Sequence, residues 1–222
     1  MYFFKEMDSF GANLETIATL AIIVITAIQF GVYTRQAVKI FTEKRATSVS
    51  VPFAFILFPI FLGAFIYGIW SESLVFAFTG LCFFPAGAVL VGVARYKQPT
   101  TTDFAITALC FVWLLSYAIL AKELVFAGFA MLMTYALWSQ AIELHKTSKR
   151  GSLDGSLLIA YLIKNIFNVF YGFLFGDVVL KFFGPIWVLL SFSAFMFWIV
   201  ARPSKNFVPS LKNFPSRKKG AS

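Results

Sequence analysis

Histidine, cysteine and charge are all scarce in this sequence. One histidine and two cysteines stand in 222 residues, and 13% of the residues are charged against 59% that are hydrophobic. A soluble globular domain carries about 25% charged residues. Half that share leaves too little polar surface to coat a water-soluble fold of this size, which excludes an ordinary cytosolic enzyme and a disordered chain. Cys82 and Cys110 both lie inside apolar runs, where a cysteine behaves as a small core residue, so a disulfide-stapled secreted domain is excluded too. His145 falls in a basic loop, and no span carries a Glu-x-x-His pair or a His/Cys cluster, so no metal ligands are expected. There is no Walker-type glycine loop and no nucleophile–base–orienter pattern. Neither catalytic residues nor a cofactor are expected, and the chain reads as a non-enzyme.

What the sequence has instead is long apolar runs, with a mean hydropathy of +0.81. A membrane helix needs about 20 mostly apolar residues. Seven runs qualify as expectations: 16–34, 50–69, 74–94, 104–121, 124–143, 156–176 and 178–200. They lack the alternation of a membrane barrel. Basic residues orient them. Fifteen of the 19 lysines and arginines fall in alternate loops and the tail, from Arg35 to Lys219. Lys5, Lys122 and Lys181 fall on the other side, and Lys164 lies inside a span. The positive-inside bias then predicts an integral, multi-pass protein with its N-terminus extracytoplasmic and its C-terminus cytoplasmic. The segment before the first run is acidic (Glu6, Asp8, Glu15), unlike the n-region of a signal peptide, so that run is expected to be a retained helix. The stretch 202–222 is basic and punctuated by Pro203, Pro209 and Pro215, suited to a tail near anionic lipid heads.

Sliding the chain by 104 residues brings span one onto five, two onto six and three onto seven. The identities that then coincide include Gln36/Gln140, Ala37/Ala141, Ser48/Ser152, Tyr67/Tyr171, Gly68/Gly172, Phe78/Phe182 and Gly80/Gly184. Two three-span units joined directly would insert in opposite senses. The leftover fourth span restores the same sense, and like-oriented repeats are related by an axis along the membrane normal. The expected architecture is all-α, seven transmembrane helices as 3+1+3. Residues 1–15 form an extracytoplasmic segment, 16–95 the first triple-helix bundle, 96–122 a linker helix, 123–201 the second bundle and 202–222 the cytoplasmic tail.

The stretches Arg35-Gln36-Ala37-Val38-Lys39-Ile40 through Ser48, and Ser139-Gln140-Ala141-Ile142-Glu143-Leu144 through Ser152, resemble the two motifs of the PQ-loop family. That family includes the SWEET sugar transporters, the lysosomal cystine and cationic amino-acid exporters and the KDEL receptor. The resemblance covers roughly 15–200. It implies the 3+1+3 fold and makes Gln36 and Gln140 elements of a cytoplasmic gate. Arg35 and Ser139 stand where the motif prolines would be. Pro52 and Pro59 in span two are left as bend points, since an interior proline removes a helix hydrogen bond.

Polar residues inside the spans mark a candidate solute site. Tyr161, Asn165, Asn168 and Gly172 share one face of span six, with Lys164 and Tyr171 on the adjoining strip. A charged lysine near the bilayer centre costs about 2.5–3.5 kcal/mol on insertion scales, so it should face a partner or a wet cavity. Ile60, Phe61 and Ala64 occupy the equivalent places of the first repeat, so the site is one-sided, fit for a solute with an anionic or strongly polar end. Structural pairing of Lys164 and helix glue by the asparagines are the bland alternatives. Gln29 is a second buried polar group, read either as helix glue or as a solute contact. Asp154 is read equally as a gate residue or as the N-cap of span six. Trp70, Trp138, Trp187 and Trp198 read as interface anchors or packing.

The expected function is a transporter that moves a small polar solute (sugar, amino acid or small carboxylate) by alternating access. Its solute contacts are Lys164, Asn165, Asn168, Tyr161, Tyr171 and Gln29, and its gate Gln36, Gln140, Asp154, Pro52 and Pro59. The alternative is a receptor or sorting protein of the same fold, binding a ligand in the cavity without moving it. A retinal protein is disfavoured, because the last span lacks a central lysine and the third lacks an acid. The expected partners are the lipid bilayer and a small polar solute, with a proton and a second copy of the chain as further candidates. Nucleic acid is not expected.

Overall fold

The computed structural model describes residues 4–8, 10–116 and 121–201. The expected tail, 202–222, lies outside the described residues, as do residues 1–3 and 9 of the N-terminal segment. Every element among the described residues is a helix. They are α1 (Lys5–Asp8), α2 (Leu14–Glu43), α3 (Val51–Trp70), α4 (Leu74–Gly80), α5 (Phe83–Lys97), α6 (Thr101–Leu115), α7 (Lys122–Thr147), α8 (Gly155–Phe175) and α9 (Val178–Val200).

Polar residues at the loop edges start these helices. Asn13, Ser50, Asp154 and Asp177 each accept a backbone N–H in the first turn of α2, α3, α8 and α9. Thr100 and Asp103 form a reciprocal capping box on α6. Pro52 stands in the first turn of α3, where its missing N–H would have no helical partner. It therefore starts the helix rather than bending it, and Pro59 is the interior proline of α3. The expected third span, 74–94, is interrupted. α4 stops at Gly80, and Leu81 and Cys82 turn through i→i−3 bonds before α5 begins. Pro85 accounts for the break, since it cannot donate to the carbonyl of Leu81 four residues earlier.

Six helical stretches are long and apolar enough to cross a membrane: α2, α3, α4–α5 taken together, α7, α8 and α9. The described part of the expected fourth span is α6, 15 residues and about 22 Å long at 1.5 Å per residue. The end of that expected span, 117–120, lies outside the described residues. Outward faces carry exposed Ile17, Val24, Leu109, Phe170, Phe182 and Leu189, an apolar exterior that only lipid would solvate. The chain is thus an α-helical, multi-pass membrane protein.

The neighbour pattern is regular. The α4–α5 stretch packs against both α2 and α3, and α9 packs against both α7 and α8. Across the middle, α2 meets α8 and α3 meets α7, while α6 lies on α3 and α7. Residues 104 apart make matching contacts. A Cβ on Gly68 would collide with the backbone of Ala77, and one on Gly172 would sit 2.8 Å from Leu180 Cβ. Gly80 likewise crosses against Phe65, and Gly184 against Val169. Small residues that let helix backbones touch are the main device for association in lipid. α2 and α7 also end alike, on left-handed residues Lys44 (φ 50°) and Ser148 (φ 48°).

Candidate functional site

A cavity of about 70 Å³ lies where α2, α3, α4, α7, α8 and α9 converge. Equivalent positions of the two repeats face it in pairs: Gln29 and Met133, Ile60 and Lys164, Phe61 and Asn165, Ala64 and Asn168. Five of the six expected solute contacts line it, namely Gln29, Tyr161, Lys164, Asn165 and Asn168. The sixth, Tyr171, does not.

Lys164 projects across the bundle. Its Nζ donates to Thr26 Oγ1 of α2 at 2.5 Å and to Thr79 Oγ1 of α4 at 2.8 Å. Among the described residues it makes no ion pair. An ammonium has three donors, so one remains after the two threonines. Asn165 is tied into α9, donating to Ser191 Oγ at 2.8 Å and to the Trp187 carbonyl at 3.4 Å. Asn165 therefore joins two helices as well as lining the cavity. Trp187 is a wall residue too, anchored through Nε1 to Thr134 at 3.0 Å. Two buried polar atoms on the wall are left unpartnered among the described residues: Gln29 Oε1 and the Tyr161 hydroxyl. A buried polar group without a partner costs about 1–3 kcal/mol.

Towards the basic end, Tyr161 packs edge-on against Tyr33 (5.9 Å) and Phe53 (5.6 Å). One turn further, the two halves are clasped. Gln36 Nε2 donates to the Ser152 carbonyl at 3.1 Å, and its Oε1 accepts from Asp154 N at 2.7 Å. Gln140 Nε2 donates to the Ser48 carbonyl at 2.9 Å, and its Oε1 accepts from Ser50 N at 2.9 Å. Ser152 and Asp154 are Ser48 and Ser50 displaced by 104, so each glutamine grips the same backbone of the opposite half. Both are fully buried. The flanking residues keep the symmetry of place but not of chemistry. Arg35 pairs with Asp154 at 2.9 Å, while Ser139 and Ser50 share a hydroxyl bond at 2.9 Å. Asp154 also caps α8, the N-cap of its two expected roles.

At the opposite end, Tyr67 stacks on Phe126 at 4.4 Å and Phe76 meets both. Beyond them Glu6 of α1 is buried. Its carboxylate accepts from Ser73 Oγ (2.5 Å), Leu74 N (2.9 Å) and Tyr171 OH (2.7 Å). Tyr171 thus belongs to a cluster closing this end. Glu6, Thr26 and Thr79 were not singled out by the sequence. A threonine in an apolar helix more often bonds its own i−4 carbonyl, and a terminal glutamate reads as solvated.

No family model matches the chain, and no curated protein matches it.

Proposed function

We propose that the chain is a transporter that moves a small polar solute by alternating access, in the manner of the PQ-loop and SWEET-like proteins it resembles. In this reading α2, α3 and α4–α5 form one triple-helix half, α7, α8 and α9 the other, and α6 joins them in the same sense. The N-terminus is extracytoplasmic and the basic end cytoplasmic. The observation that carries the proposal is the cavity itself. It lies between the halves, is faced by equivalent positions of both, and holds a buried lysine and unpartnered polar atoms. An ionisable residue at such depth is expensive in a membrane protein, which favours a role in a solute path over packing.

The gates follow from the clasps. Opening to the cytoplasm breaks the Gln36 and Gln140 bonds. Opening to the other face breaks the Glu6–Ser73–Tyr171 cluster. These events alternate as the halves rock about the cavity. The test is uptake by proteoliposomes beside binding to the purified protein. Saturable uptake above protein-free vesicles is expected. Saturable binding with no flux contradicts transport.

A further inference from the structure

We propose that the central cavity takes a small monocarboxylate, with its carboxylate on Lys164 and its apolar body against the Ile60–Phe61–Ala64 wall of α3. This deepens the transporter reading and rests on the same cavity. Three observations converge on it.

The first is charge. Among the described residues the lining holds one cation and no carboxylate. The ammonium is met only by two neutral hydroxyls, Thr26 and Thr79. A buried charge is tolerated when it is paired and hydrogen-bonded. Among the described residues, carboxylates with partners of their own include Glu6 on Ser73 and Tyr171, Glu143 on Lys97, and Asp154 on Arg35 and Ser156. The counter-charge is therefore left for a solute. An amino acid would bring a second ammonium into a space with no acid to receive it, and like charges repel strongly at low dielectric.

The second is size. A water needs about 10–15 Å³ of such volume, so 70 Å³ holds about five waters. A short-chain acid fits within that space.

The third is the split of the walls. Along α8 the lining is polar, with Lys164, Asn165 and Asn168, and along α3 it is hydrocarbon, with Ile60, Phe61 and Ala64. A sugar, polar all round, would leave hydroxyls unpaired on that face.

The experiment measures binding and proteoliposome uptake of radiolabelled L-lactate, with D-glucose and L-leucine as comparison probes. Lactate is expected to bind and to enter saturably at neutral pH, and the other two to do neither. Lys164→Gln should weaken lactate binding by about tenfold or more, as for a lost hydrogen bond to a charged group. Lys164→Arg should retain part of it. Selectivity of the unaltered protein decides the matter even if Lys164→Gln fails to fold. Uptake of glucose or leucine in place of lactate overturns the inference and leaves the transporter reading standing. Lysine-dependent lactate binding without flux upholds the inference and removes the transporter reading. No lactate binding by the unaltered protein overturns the inference.

Discussion

Gln36 and Gln140 do the same work at the same place. Each satisfies one carbonyl and one N–H of the opposite half, in a site closed to water. Alanine at either position strands two buried backbone groups, each worth about 1–3 kcal/mol. Gln36→Ala and Gln140→Ala should therefore lower stability in detergent by similar amounts, of order 2 kcal/mol or more, read by thermal unfolding. Arg35→Ala is different. Its side chain is 73% exposed, so its pair with Asp154 contributes about 1 kcal/mol at most. A large loss for one glutamine and none for the other would contradict the equivalence. At this scale the sequence displayed much of the site. The polar face of α8 stood out because lysine and asparagine are costly in lipid. Thr26 and Thr79 did not stand out, since a hydroxyl in an apolar helix has a cheap local partner. Glu6 did not, because its burial depends on where α1 folds back.

At the scale of elements, the glycines set how closely the helices cross. A Cβ at Gly68 would meet the backbone of α4, which cannot shift as a side-chain end can. Gly31 on α2 has nothing within 4 Å of the same added atom. Gly68→Val should cost about 1–3 kcal/mol through overpacking, while Gly31→Val should leave the unfolding midpoint nearly unchanged. Equal effects of the two would contradict close crossing at Gly68. Element type and most boundaries were legible, because long apolar runs bounded by Asn13, Ser50, Asp154 and Asp177 leave few alternatives. The break at Leu81–Cys82 was written in Pro85, but hydropathy does not sense a missing N–H.

Across the whole molecule, one displacement of 104 residues relates gate, crossing points and cavity walls. It could be read from the sequence through Gln36/Gln140 and Gly68/Gly172, although its three-dimensional meaning lay in contacts between distant segments. The halves are alike in scaffold and unlike in chemistry. Lys164, Asn165 and Asn168 face Ile60, Phe61 and Ala64, and an ion pair at Arg35–Asp154 answers a hydroxyl pair at Ser139–Ser50. In the proposed transporter, the shared scaffold would supply matched rocking surfaces, and the divergence a polar and an apolar side for a solute. The central claim is that this cavity opens in turn to each face. The most direct test introduces Ala64→Cys on the cavity wall, in a background lacking Cys82 and Cys110, and probes it in sealed liposomes with a small membrane-impermeant thiol reagent. The account predicts labelling from both sides, and loss of labelling from the basic side alone when Ser50→Cys and Ser139→Cys are oxidised to a disulfide and then protected from reduction. Labelling from one side only before that disulfide is formed, or labelling from the basic side that persists after it is formed, would contradict it.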